Sequence, residues 1–127
     1  MGLAKLGLKL STSKKIKFSS LEKDSLEKFL KPKIQITLGI NLRKIANSCI
    51  DISDGLLGDL NHICKESQVG AELEKDLIPF VGTFEEAMTW GDDYELCFTV
   101  PKNKERKLKD ISKKIKIKLY KIGQIVS

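Results

Sequence analysis

The chain has little of the residue types that build covalent or metal frameworks. It carries one histidine (His62), three cysteines (Cys49, Cys64, Cys97) and three prolines, and 6% of it is aromatic. No two cysteines stand in a Cys-x-x-Cys pair, so with a single imidazole a structural zinc site of the Cys/His kind is disfavoured. Three thiols cannot all pair, and the expected compartment is the reducing cytoplasm. No apolar run nears the ~20 residues that span a bilayer. The opening MGLAKLGLKL also lacks the long apolar stretch and small-residue cleavage site of a secretory leader. A membrane is therefore not expected as a partner. There is no Gly-x-x-x-x-Gly-Lys-Ser/Thr phosphate loop, and one histidine gives no basis for a Ser/His/Asp triad.

What the sequence does have is segregated charge. Its 127 residues are 41% hydrophobic and 31% charged, which suits one domain burying roughly two thirds of its unfolded surface. The net charge of +6 hides three blocks. Residues 1–33 hold nine lysines against three acids, residues 34–101 hold four basic against twelve acidic side chains, and residues 102–118 hold nine basic against two acidic ones. A uniformly basic nucleic-acid binder would not look like this. The lysines of 102–118 have no interleaved aromatics for base stacking and read as a solvated helix face. No nucleic-acid partner is expected. Clustered carboxylates repel unless solvent, a proton or a cation relieves them. A divalent metal and a plain solvated acidic surface both account for the middle block.

Periodicity supplies the elements. Residues 1–18 are weakly periodic and end in STSKKIKF, a linker or frayed first element, with the domain proper over 19–127. Ser19 and Glu22 fit a capping box that opens a helix through SLEKDSLEKFL, with Leu21, Leu26, Phe29 and Leu30 as its apolar side. Pro32 ends it. A second helix is expected from about Gln35 to Asn47, presenting Ile34, Leu38, Leu42, Ile45 and Ala46. Cys49–Ile52 suits a short strand. Leu56, Leu57, Leu60, Ile63 and Cys64 then share a helical face, with Asp54 placed to cap that helix. Val69–Leu73 suits a strand, Phe84–Trp90 a short helix ending at Gly91, and Tyr94–Val100 a strand broken by Pro101. A lysine-rich helix runs to about Ile115, and IKLYKIGQIV closes as strand. Helices and strands mix without regular βαβ repetition, so the expected class is α+β. His62 falls near an apolar stripe and reads as a packing or surface residue. The cysteines read as buried small hydrophobes.

Two constellations could carry chemistry. Asp51–Ile52–Ser53–Asp54–Gly55 lies between an expected strand and an expected helix. On an extended segment Asp51 and Ser53 point to the same side. Asp54 stands at the helix start, where unsatisfied amides attract phosphate oxygens. Mg²⁺ reconciles carboxylates with phosphate there, since it takes one or two carboxylates, several waters and substrate phosphates. Half of a metal–nucleotide site results. Plain capping by Asp54, with Asp51 in a turn, explains the same residues equally well. The second constellation, Trp90–Gly91–Asp92–Asp93–Tyr94–Glu95, sets three acids beside a glycine. It suits a loop that meets a cation or a donor-rich ligand, or a solvated turn with Trp90 and Tyr94 at the core edge.

In this order, IDISDGLLGDLNHI and GDDYELCFTV resemble the C-terminal half of bacterial thiamine-monophosphate kinase. GLAKL resembles the join between that enzyme's halves, and KFLKPKIQITLGINL, SQVGAELEKDLIP and YKIGQIV fit as well. The resemblance implies ATP-dependent phosphorylation of thiamine phosphate to thiamine diphosphate with Mg²⁺, within the aminoimidazole ribonucleotide synthetase-related superfamily. It implies helices on a largely antiparallel or mixed sheet, in α/β/α layers of partly ferredoxin-like topology, and a homodimer joined mainly through the family's first domain. Carried over by motif, Asp51 and Asp54 would be magnesium ligands, Ser53 an ATP contact and Asp92 a thiamine phosphate contact. No general base is assigned, because phosphoryl transfer needs positioning and charge neutralisation more than a reactive side chain. The family's N-terminal domain and extreme C-terminal tail have no counterpart here, and Trp90 stands where the family carries a small residue. The chain is thus expected to be inactive alone and to need the N-terminal domain in cis or in trans. The alternatives are a stand-alone nucleotide or thiamine phosphate binding module, or another ATP-using synthetase of the superfamily.

Overall fold

The structure, a computed structural model, describes residues 1–14 and 16–127. At its centre β1 (Ser48–Asp51) pairs antiparallel with β3 (Leu96–Thr99), Ile50 lying opposite Cys97 and Asp51 opposite Leu96. Side chains alternate across a ladder, and here the alternation divides two cores. Ile50 and Cys97 face a cluster with Ile52, Leu56, Leu60, Ala87 and Met88, drawn largely from α4 (Leu56–Ser67) and α5 (Phe84–Thr89). Leu96 and Phe98 face the opposite way. They pack with Leu38 and Leu42 of α3 (Ile36–Leu42), with Ile45 beyond it, and with Leu108, Ile111 and Ile115 of α6 (Glu105–Ile115). The fold is therefore α+β, with helices on both faces of the ladder. A second antiparallel ladder joins β2 (Gly70–Leu73) to β4 (Gly123–Val126), with Ala71 and Leu73 against the first cluster. Among the described residues the strands form these two two-stranded ladders rather than one sheet.

Element boundaries differ from expectation for local reasons. The segment 94–100 becomes strand only at Leu96, because Tyr94 sits in the left-handed region at φ 49°. Of residues 117–126, expected as one strand, only Gly123–Val126 form β4. Ile117 and Leu119 pack onto the α3–α6 cluster instead. The helix expected over 35–47 stops at Leu42 and a turn carries Ile45 back to the same core, while Ile34 remains 72% exposed. Of the three thiols expected to be buried, only Cys97 is; Cys64 is half-buried and Cys49 is exposed.

Residues 3–11, read above as a linker or a frayed first element, form helix α1 (Leu3–Ser11). It packs on α2 (Ser20–Leu30), which carries the capping box: Ser19 N donates to the Glu22 carboxylate at 2.8 Å, and Glu22 N donates to Ser19 Oγ at 3.3 Å. The crossing is made by small residues. A Cβ on Gly7 would overlap the Ser25 carbonyl oxygen and stand 2.6 Å from Phe29 Cβ, so the backbones meet there. That close approach buries Ser25 and leaves Leu21 and Leu30, expected on the apolar side, exposed. Leu57 is likewise exposed, off the buried Leu56–Leu60–Ile63 stripe of α4. Lys5 and Lys9 of α1 pair with Glu86 of α5 at 3.0 and 3.2 Å and hold its carboxyl down to about 2. No helix among the described residues is long and apolar enough to cross a membrane.

Candidate functional site

In an antiparallel pair the end of one strand lies beside the start of the other. The segments that follow β1 and precede β3 therefore emerge together. Their backbones are stitched to each other: Ile52 N donates to Glu95 O (2.8 Å), Tyr94 N to Ile52 O (2.9 Å) and Asp92 N to Ser53 O (3.0 Å). Gly91 permits the approach, because a Cβ there would overlap the Ser53 carbonyl oxygen and lie 2.6 Å from its carbon. Asp92 and Tyr94 both take left-handed φ, 64° and 49°. This conformation costs a non-glycine residue roughly 1–2 kcal/mol, offset here by the bonds to Ile52 and Ser53. Tyr94 Oη donates to Asp92 Oδ1 at 3.2 Å. That bond and the Asp92 charge, with a weaker contribution from Asp51, push the phenol above its ordinary range.

Asp54 does not cap α4. Gly55 occupies the cap position, and no side chain bonds from it. The role belongs to Asp59, in the first turn of α4 and 2% exposed. Its Oδ2 accepts from the backbone N–H groups of Ser53, Asp54 and Gly55 at 3.0, 3.1 and 3.2 Å. All three amides precede the first helical residue, Leu56. Asp59 thus ties down the loop that leads into α4 and sets a buried carboxylate beside the helix start. Asp54, freed from capping, is exposed. One ligand atom each from Asp54, Asp59 and His62 lie within 4.8 Å of one another. Asp51 is exposed at the end of β1, outside that trio, and Ser53 is half-buried with both its N–H and its carbonyl engaged.

The second loop also divides its acids by role. Asp93 is buried at 1% exposure and accepts from Gly2 N (2.7 Å) and Ala4 N (3.3 Å), capping α1 from 91 residues away. Glu95 takes the Lys28 ammonium, and its other oxygen accepts from Gln35 Nε2 at 3.1 Å. Only Asp92 of the three is exposed. Trp90 leaves the loop to lie beneath the Lys5 ammonium, 4.6 Å from the ring centre. The sequence reading left Asp93 and Glu95 as undifferentiated acids of the second motif; it did not single out Asp59, nor its closeness to His62, which it read as a packing or surface residue and which is exposed. The spacing of Asp59 and His62, three apart on one helix face, was a readable signal. The partners of Asp93 and Glu95 are remote in sequence and left none.

Residues 1–127 match the family described as AIR synthase related protein, C-terminal domain, and the chain belongs to that family. Within it the likeness is to thiamine-monophosphate kinases. The one from Buchnera aphidicola subsp. Schizaphis graminum is 45% identical over 112 residues, 80% of this chain and 35% of that protein. The crystal structure of thiamine-monophosphate kinase from Stenotrophomonas maltophilia K279a superposes with a TM-score of 0.89 at 30% identity, over 100% of this chain and 45% of that one. AaThiL complexed with AMPPCP and TMP gives 0.84 at 27% identity, over 100% and 42%. The chain spans about a third of the length of the curated relatives it matches.

Proposed function

We propose that this chain forms the acidic wall of the phosphoryl-transfer site of a cytoplasmic thiamine-phosphate kinase. The reaction converts ATP and thiamine phosphate to ADP and thiamine diphosphate. The chain works with the N-terminal domain of its family, in cis or in trans, and the assembled protein is a homodimer. The observation that carries this reading is the bond from Asp92 N to Ser53 O, which joins the two acidic motifs into one surface at the end of the β1–β3 ladder. The family membership and the relatives' names support it, as does a protein of the same fold solved with AMPPCP, an ATP analogue, and TMP, read here as thiamine monophosphate.

Asp51 and Asp54 are the magnesium ligands, Ser53 contacts ATP and Asp92 contacts thiamine phosphate. Their chemistry fits magnesium: both aspartates are exposed, and neither is paired with a basic side chain among the described residues. Mg²⁺ takes one or two such carboxylates and completes its octahedron with water and phosphate. When bound, it neutralises the charge of the transferring phosphoryl group. The Asp92 carboxylate suits the cationic thiazolium end of the substrate, with Tyr94 Oη holding it in place.

In the assembled protein, Asp51→Asn should fold normally and lower kcat roughly 100-fold, the scale of losing one electrostatic contact to a transition state. A near-normal kcat with unchanged magnesium dependence rejects the ligand role. Asp92→Ala should raise KM for thiamine phosphate more than KM for ATP. Equal rises would make the loop structural.

A further inference from the structure

We infer that Lys28 of α2, acting through Glu95, is a positioning residue for Asp92 in its contact with thiamine phosphate, a role that rests on the kinase reading. The loop that carries Asp92 is held by two sets of bonds. Its backbone joins the segment after β1: Asp92 N donates to Ser53 O, Tyr94 N to Ile52 O, and Glu95 O accepts from Ile52 N. Its side chains alternate. Asp93 and Glu95 bond to α1 and α2, whereas Asp92 is exposed and takes the Tyr94 hydroxyl at 3.2 Å. Left-handed φ at Asp92 and Tyr94 persists where the surroundings fix it in this way.

Lys28 is the distant end of the second hold. Its side chain is 13% exposed, and its ammonium pairs with Glu95 alone among the described residues. An ammonium removed from water needs a partner, so the docking of α2 draws Glu95 to it. α2 is itself fixed. Ser25, one turn before Lys28 and on the same side of the helix, meets Gly7 of α1 with no room for a Cβ between them. The other Glu95 oxygen accepts from Gln35 Nε2 at 3.1 Å, just ahead of α3. Both carboxylate oxygens of Glu95 are thus committed to groups outside the loop.

Lys28→Met keeps an unbranched apolar side chain and removes the charge, leaving Glu95 to Gln35 and water. In the assembled protein it should raise KM for thiamine phosphate about tenfold and leave KM for ATP within about twofold, since a misplacement far from the chemistry can cost ~100-fold. Glu95→Gln keeps the shape of its side chain, weakens the pair and should move the same KM in the same direction. In an Asp92→Ala background Lys28→Met should add nothing further, because residues that act through one contact are not additive. A Lys28→Met effect that persists undiminished in that background overturns the inference. So does an unchanged KM for thiamine phosphate in both single variants, with or without a fall in kcat, as a merely structural role would give.

The hold on the loop is read apart from activity. In the 127-residue chain, Lys28→Met should shift the backbone amide signals of residues 92–95 while those of β2 and β4 stay in place. Unmoved signals at Asp92 and Tyr94 overturn the inference whatever the substrate is. Asp92→Ala with an unchanged KM for thiamine phosphate would instead defeat the substrate reading of Asp92, and the role of Lys28 toward that substrate with it. The amide signals then still show whether Lys28 sets the loop.

Discussion

Asp59→Ala is expected to cost about 3 kcal/mol of folding stability and to free the loop before α4. The carboxylate is 2% exposed and accepts from three successive backbone N–H groups. Hydrogen bonds to a charged group contribute ~1.5–3 kcal/mol each, and a buried donor left without a partner costs ~1–3 kcal/mol. Simple addition would overestimate the loss, because the three bonds share one oxygen and water can reach the amides near the exposed Asp54. About 3 kcal/mol remains, which corresponds to a fall in Tm of roughly 10 °C for a domain of this size. Asp59→Asn keeps one acceptor oxygen and should recover about half of that loss. Urea unfolding of the three proteins, with amide exchange at residues 53–55, provides the measurement. A change below about 0.5 kcal/mol, the usual range for a surface substitution, would show that the loop does not depend on this carboxylate.

Gly91→Ala carries the second large effect, by a different physical route. The added Cβ has no free volume: it would overlap the Ser53 carbonyl oxygen, and Ser53 C and Asp54 Cα would lie 2.6 and 3.0 Å away. All three are backbone atoms, so no side-chain rotation relieves the clash. The two loops must part, which breaks the bond from Asp92 N to Ser53 O and removes what holds Asp92 and Tyr94 in left-handed φ. Overpacking of a tight contact costs ~1–3 kcal/mol, and this site falls at the upper end. NMR shift changes should concentrate at residues 51–55 and 90–95 while the α3–α6 core stays unperturbed. In the assembled protein, thiamine phosphate use should fall with them. Stability within about 0.5 kcal/mol of the parent, with shifts scattered evenly, would mean that the loops do not meet at Gly91.

The order of elements was legible because its signals are local. The Ser19–Glu22 capping box spans one helical turn, the Leu56–Leu60–Ile63 stripe follows the 3.6-residue period, and Pro101 ends β3 by lacking an N–H. Each depends on residues a few positions apart, so one chain read alone contains both partners. The α2 stripe misled for the converse reason. Leu21 and Leu30 are apolar at the right spacing, but the helix packs where Gly7 and Ser25 let the backbones touch. Close approach of small residues does not register as hydrophobic periodicity.

The sequence by itself determined the α+β class, the two acidic motifs and their family. It could not assign a task to each acid, because a carboxylate's role follows from its neighbours in space. On paper Asp54 is the residue placed to cap α4, and no local signal marks Asp59 for the task. Pairing of β1 with β3 brings the two loops together, and the first turn of α4 aims Asp59 at the backbone, which releases Asp54 to solvent and to His62. Asp93 is buried against α1, and Glu95, its side chain still 43% exposed, is tied to Lys28 of α2; both partners come from the other end of the chain, and Asp92 is the exposed member. Burial is what separates them: a carboxylate out of water must collect donors, and which donors lie within reach is decided only when the helices and strands are packed.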